Sequence, residues 1–489
     1  MRARVLPVAV IAALVGVPAG WGLAQLTSPP QDPPAASSES RAWAAPSARS
    51  VGEGKAAASS SPSAASAPAS PSSKSAAALT KAVAGAPRVA GQPIRAAVID
   101  AGSGDPIAQN QGDKPLPPAS SLKVLTGAAI LSTLDADATL STSVTAGEKP
   151  GQVNLEGSGD ALLGSGASEP SAVRGRAGLG TLAEKTAAAM APDAASGARV
   201  PARVTVTLDD SLFPEALNPA WPQGDLDTGQ MTRLAPLAVN SAFTDESATE
   251  GPRVSDPGMT AADSFARSLQ KRLSERAGHP VSVTAVRGKG SGSGAGKGAG
   301  GRTLASVQSA TIAEQTEQGL LDSDNYVLET LARLAAAKSG HPATSKGVQD
   351  FLAQKLPDIT RYPGDVRAVD ASGLSIRNHV TPRALASAVR TLMTSSDPHL
   401  RAEAEQFPVS GLNGTLASRF QAPGARGARG YIHAKTGTLN ATAVLTGYTT
   451  TADGRLVAFA LAYTGVDGSL VEAKAALDQV AARIVAAGA

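Results

Sequence analysis

Ser120 and Lys123 stand three residues apart in the stretch Pro117-Pro118-Ala119-Ser120-Ser121-Leu122-Lys123, at the head of the apolar run "VLTGAAILSTL". Residues three apart on a helix share a face, so the amine of Lys123 can reach the hydroxyl of Ser120. A serine hydroxyl is a weak nucleophile until a neighbour takes its proton. A partly buried lysine, kept neutral part of the time, is a suitable base. The spacing alone does not decide, because a helix cap followed by a solvated lysine reads the same way. Ser268 and Lys271 repeat the spacing inside "SFARSLQKRLSERAG", which reads as an amphipathic surface helix.

Two further patterns separate the pairs. Ser323-Asp324-Asn325 is the only Ser-x-Asn in the chain, and Lys435-Thr436-Gly437 is the only Lys-Thr-Gly. Lys338-Ser339-Gly340 matches a relaxed form of the latter, but it closes a helix too near the Ser-Asp-Asn segment to face it. In chain order the patterns form a catalytic set. Ser120 is the expected nucleophile and Lys123 its base. Ser323 is placed to relay a proton to a leaving amine, and Asn325 to fix a substrate amide. Lys435 adds positive potential that favours the neutral form of Lys123. Thr436, Gly437 and Thr438 are the expected substrate-binding residues, the glycine letting an extended peptide lie along the strand edge. The backbone N–H groups of Ser120 and Thr438 are the natural oxyanion donors, with a helix N-terminus behind Ser120. Asp324 reads as a cap or a supporting group rather than an acid, Asp370, Ser372 and Asn413 as turn chemistry, and Arg419 and Arg429 as solvated surface cations, with contact to a substrate carboxylate the alternative for both.

The elements that must position this set are legible in outline. "IRAAVIDAGSGDPIAQN" reads as strand, glycine turn, strand. Helical periodicity follows Ser120 and returns over Ile312 to Lys338, at "GVQDFLAQKL" and at "TPRALASAVRTLMTS", where Thr381 caps and Pro382 opens. The C-terminal region reads as three strands and a helix, the first strand carrying Lys435. Between the two catalytic blocks, short β-like runs such as "GQVNLEGSGD" and "ARVTVTLDDSLF" predict a separate β-rich module. It ends in the glycine-rich "GKGSGSGAGKGAGGR", where Gly296, Gly298 and Gly301 match a phosphate-loop pattern that such a tract produces by chance.

These motifs resemble the penicillin-recognising active-site serine enzymes, and more narrowly the class C low-molecular-mass penicillin-binding proteins, the D-alanyl-D-alanine carboxypeptidase/endopeptidases of peptidase family S13. The narrower likeness rests on "GSGDALL" (157–163), "LDDSLF" (208–213), "APLAVN" (235–240), "VDASGLSIRNHVTP" (369–382), "FPVSGLNGTLASRF" (407–420) and "AKTGTL" (434–439). It covers residue 91 to the C-terminus. It implies an α+β fold of the serine β-lactamase/DD-peptidase type, an antiparallel sheet flanked by helices, with the β-rich module inserted between the Ser-x-x-Lys and Ser-x-Asn motifs. It implies cleavage of D-Ala–D-Ala in peptidoglycan stem peptides, or of cross-links ending at D-Ala, through an acyl-enzyme on Ser120, and covalent capture by β-lactam antibiotics. Three positions depart from the pattern: His433 stands where Arg is usual, Ala371 replaces a Gly, and Leu328 replaces an Ala. His433 shares a strand face with Lys435, which places substrate preference in question. A serine β-lactamase on the same fold would need a second base for deacylation, and no Asn has Glu four residues upstream. A catalytically weak wall-binding scaffold is the other alternative, and the intact motifs argue against it.

Bulk properties bound the rest. With 489 residues there is room for several domains, and a net charge of +3 offers no footprint for nucleic acid. There is no cysteine, so disulfides and thiolate chemistry are excluded. The five histidines show no metal-binding spacing, and neither metal nor cofactor is expected. Met1–Leu26, a short basic start followed by an uncharged apolar run, reads as a signal peptide or membrane anchor. Residues 27–90 read as a disordered Ala/Ser/Pro spacer. The expected organisation is then a catalytic domain split between 91–137 and 304–489, with the module at 138–303 inserted in it. The folded head is expected on the extracytoplasmic face of the membrane or in the wall, secreted if the leader is cleaved, and touching membrane only through its N-terminus.

Overall fold

In the computed structural model of the chain, residues 73–191, 200–288 and 301–489 are described. Residues 1–26, expected as a signal peptide or anchor, most of the expected spacer and most of the glycine-rich tract lie outside them. The two ends of the described chain meet in one antiparallel sheet of five strands. Its order is His433–Leu439, Thr442–Thr450, Leu456–Thr464, Arg95–Asp100, Pro106–Asn110. Alternation along the strands gives the sheet two buried faces. Val98, Phe459, Leu461 and Tyr463 pack with Leu79, Val83, Leu477, Val480 and Ile484 from helices Ser73–Ala84 and Leu470–Val485. Ala97, Ile99, Ala458, Ala460 and Ala462 point to the opposite face, where small side chains let the helix Pro382–Thr394 lie close.

That second face supports an all-helical layer built around Leu122–Leu131. All ten residues of this helix are buried, as an all-round apolar helix must be. Helices Ile312–Leu321, Asn325–Lys338, Ser345–Thr360 and Pro398–Glu405 complete the layer. The architecture is therefore α+β, a helix-flanked antiparallel sheet.

A second sheet of five strands has the order Ser282–Gly288, Arg203–Asp209, Gln152–Gly157, Thr139–Ala146, Thr303–Thr311. It is mixed: Arg203–Asp209 runs parallel to both its neighbours, and Thr139–Ala146 antiparallel to both of its own. Helices Leu179–Met190 and Pro257–Ala277 cover it through Leu182, Ala187, Phe265, Leu269 and Leu273. The module is thus β-rich in its sheet and closed by two amphipathic helices. Lys271 lies on the exposed side of the longer one, as the surface reading of that pair expects.

Three expectations need correction. The spacer does not extend to residue 90: Ser73–Ala84 is helical, and its Leu79 and Val83, one turn apart, are buried on the first sheet. An Ala-rich sequence with two apolar residues at i and i+4 is a poor candidate from composition but docks well. The boundary at 303/304 cuts off a strand that belongs to the second sheet, which continues to Thr311. Finally, Ile312–Lys338 is two helices, broken where Ser323 adopts the left-handed conformation (φ 60°).

Candidate active site

Ser120 sits in a single 3-10 turn, Ala119–Ser121, that leads into the central helix. The double proline ends the incoming segment, and Ala119 takes φ 48°, so the chain turns sharply and leaves Ser120 partly exposed. Two glycines pack directly against this turn. A Cβ on Gly373 would lie 1.9 Å from the Ala119 carbonyl oxygen, and one on Gly437 would lie 2.5 Å from that of Pro118. The glycine of the Lys-Thr-Gly motif therefore brings its strand onto the turn that carries Ser120.

Lys123 is fully buried and its Nζ meets three oxygens: Ser120 Oγ at 2.9 Å, Asn325 Oδ1 at 2.6 Å and the Ser372 carbonyl at 2.6 Å. Asn325 Nδ2 donates to the Gln230 carbonyl at 2.9 Å, which fixes its Oδ1 toward Lys123. A neutral amine has two N–H donors and one lone pair. With Asn325 Oδ1 and the Ser372 carbonyl able only to accept, both donors are used, and the lone pair is left facing the Ser120 hydroxyl. Burial lowers the Lys123 ammonium to about 8, against the opposing charges of Asp370, Asp324 and Glu329 and with help from Arg253.

Lys435, also fully buried, donates to Ser323 Oγ at 2.8 Å and to the Thr436 carbonyl at 3.1 Å. Its ammonium is pushed well down, first by burial and then by the charge of Lys123. Ser323 owes its position to the left-handed break between two helices. Asp324, next in sequence, caps the second helix through the N–H groups of Tyr326 and Val327. The module reaches this turn directly: Arg253 pairs with Asp324 at 3.3 Å, donates to the Ser241 carbonyl and stacks over Phe243.

Ser120, Lys123, Ser323, Asn325 and Lys435 are thus linked by hydrogen bonds into two clusters beside the same turn. Thr436 points away and donates to Thr415 Oγ1 at 2.9 Å, while Thr438 is exposed on the outermost strand of the sheet. His433 stacks on Tyr448, with ring centroids 4.9 Å apart; burial lowers its pKa, against an opposing effect of the Glu405 backbone. Arg419 is no solvated cation but a partner of Asp478, and Arg429 donates to the Gly411 carbonyl. Asp370 organises its turn by accepting from Gly373, Ser375 and Asn378, and burial beside Glu329 pushes it up to about 7. A cavity of about 290 Å³ lies elsewhere, between the helix Ser345–Thr360 and residues 362–369. Among the described residues no group of three or more His, Asp or Glu side chains could hold a metal ion.

The Ser372 carbonyl, the Gln230 carbonyl, Arg253 and Glu329 are absent from the set legible in the sequence. Two of these act through backbone oxygens, which no residue type announces.

A helix-flanked antiparallel sheet, with a serine at the head of its central helix and two buried lysines beside it, is the arrangement expected of the penicillin-recognising serine enzymes. The chain matches the family described as D-Ala-D-Ala carboxypeptidase 3 (S13) over residues 75–284 and 245–484. It belongs to that family, and the protein is a D-Ala-D-Ala carboxypeptidase. Carboxypeptidase DacB of Mycolicibacterium smegmatis is 31% identical over 368 residues, 74% of this chain and 75% of the relative. The D-alanyl-D-alanine carboxypeptidase of an Actinomadura species is 25% identical over 443 residues, 76% of this chain and 77% of its own. Penicillin binding protein 4 of Haemophilus influenzae shares the fold, with a TM-score of 0.59 at 19% identity, covering 83% of this chain and 97% of that one. The same Haemophilus protein has been solved in complex with a β-lactam.

Proposed function

We propose that the protein carries out its D-Ala–D-Ala cleavage on peptidoglycan stem peptides, and on cross-links ending at D-Ala as well, through an acyl-enzyme on Ser120. The observation that carries this is Lys123 Nζ, 2.9 Å from Ser120 Oγ, with two acceptor-only oxygens on its remaining sides. Lys123 takes the hydroxyl proton as Ser120 Oγ bonds to the carbonyl carbon of the penultimate D-Ala. The C–N bond then breaks, and the departing nitrogen receives a proton from Ser323, resupplied by Lys435. The proton held by Lys123 restores that loss before water hydrolyses the ester. The N–H groups of Ser120 and Thr438 stabilise the oxyanion, and the strand edge at Thr436, Gly437 and Thr438 aligns the peptide. Asn325 orients Lys123 in the free protein and contacts the substrate amide with its remaining N–H.

β-Lactams enter the same path, because their strained amide mimics the scissile one, and form a long-lived ester on Ser120. The uncharged run Val5–Leu26 supports a site of action outside the cytoplasmic membrane. Removal of residues 1–26 is then expected to abolish export, whereas an exported truncated protein would contradict that placement. The activity is tested with the full chain and a diacyl-Lys-D-Ala-D-Ala tripeptide. D-Ala is released by the protein and not by Ser120→Ala; equal release by both defeats the proposal.

A further inference from the structure

Glu329 lies one turn into the helix that follows the Ser-Asp-Asn motif, buried with only 1% of its surface exposed. One of its oxygens, Oε1, accepts three hydrogen bonds from two consecutive residues: the Ala371 N–H at 2.9 Å, the Ser372 N–H at 2.9 Å and the Ser372 hydroxyl at 2.7 Å. That oxygen thereby holds Ser372 through both its backbone and its side chain. The carbonyl of the same residue accepts from Lys123 Nζ at 2.6 Å. Resting on the reading of Lys123 as base, we propose that Glu329 is a positioning residue, which anchors the Ala371–Ser372 backbone so that the Ser372 carbonyl takes one N–H of Lys123 and turns its lone pair to Ser120.

The physical case rests on geometry and on charge. A backbone carbonyl in a loop orients an amine only if the loop cannot rotate, and three charge-assisted bonds to one carboxylate oxygen remove that freedom. Gly373, at φ 87°, then carries the chain directly onto the Ala119 carbonyl, so the anchored loop is also packed against the nucleophile's turn. As to charge, Glu329 favours the protonated form of Lys123, as do Asp324 on the adjoining turn and Asp370 on the loop, while Arg253 from the inserted module opposes them. Lys435 on the facing strand is lowered first by its own burial and then by the charge of Lys123, and Arg333 on the Glu329 helix feels the Glu329 charge. Glu329 thus aims the base and holds back its deprotonation, two effects that mutation can separate.

The test is the pH profile of Ser120 acylation by benzylpenicillin, with the full chain, for wild type, Glu329→Gln and Glu329→Ala. Glutamine keeps an acceptor oxygen and loses the charge: the plateau rate stays within about three-fold of wild type and the acidic limb moves to lower pH. Alanine loses the anchor: the plateau falls roughly 10²-fold while the dissociation constant of the initial complex is unchanged. An acidic limb in Glu329→Gln that stays put or moves up overturns the proposal, and so does a wild-type plateau in Glu329→Ala. If Glu329→Ala does not fold, the limb of Glu329→Gln decides. A wild-type rate that does not fall below pH 8 defeats the reading of Lys123 as base; a wild-type limb near 8 with an unmoved one in Glu329→Gln defeats only the role of Glu329.

Discussion

Lys123 carries an expected pH signature. Burial brings its ammonium to about 8, and the base is the neutral form, so the acylation rate rises with pH through about 8 and levels off above it. Stopped-flow acylation between pH 6 and 10 checks this; a rate that is flat, or that falls as pH rises through 8, contradicts it. At this scale the sequence is informative where a side chain does the chemistry. Ser120, Lys123, Ser323, Asn325 and Lys435 are rare combinations of type and spacing, and hydrogen bonds join them into a cluster of three around Lys123 and a pair, Lys435 with Ser323. It is silent where a carbonyl does the work, as at Ser372 and Gln230. Glu329 in "NYVLETLARL" reads like any helical glutamate. His433, which shares a strand with Lys435, is stacked against Tyr448.

Elements bring these residues together by close backbone approach, and glycine is what permits it. The strand carrying Lys435 meets the Ser120 turn at Gly437, where a Cβ would have the Pro118 carbonyl oxygen at 2.5 Å and Ser121 Oγ at 3.0 Å. Gly437→Ala must therefore push strand and turn apart. Acylation is expected to fall roughly 10²-fold, because reacting groups are displaced by a fraction of an ångström to an ångström, while unfolding stays cooperative. Acylation kinetics beside thermal unfolding measure this, and wild-type acylation in a folded Gly437→Ala protein would refute the steric account. The motif itself is visible in the sequence, where its glycine reads as room for substrate. Only the packing of Gly437 on Pro118 and Ser121 reveals the second reason for it. The helix break at Ser323 is equally hidden, because periodicity runs through Asp322–Asp324 without a proline or glycine to interrupt it.

The first and last described segments close one core. Arg95–Asp100 pairs with Leu456–Thr464, and Ser73–Ala84 packs beside Leu470–Val485. Leu79, fully buried there, tests whether the helix Ser73–Ala84 belongs to the folded core. Leu79→Ala is expected to cost about 2–5 kcal/mol in denaturant unfolding, whereas a residue in a disordered spacer would cost nothing. Composition conceals this helix, since Ala, Ser and Lys of the preceding tract continue into it. The inserted module is integral for a similar reason. Its Gln230 and Arg253 reach Asn325 and Asp324, contacts between residues about seventy to a hundred apart in sequence that no local pattern encodes.

The most direct test of the account is covalent. The full chain is incubated with benzylpenicillin, digested, and its peptides are read by mass spectrometry, beside Ser120→Ala treated in the same way. A stable penicilloyl adduct on the peptide that contains Ser120, absent from Ser120→Ala, is the predicted result. No adduct on either protein, or the same adduct on both, would contradict Ser120 as the nucleophile.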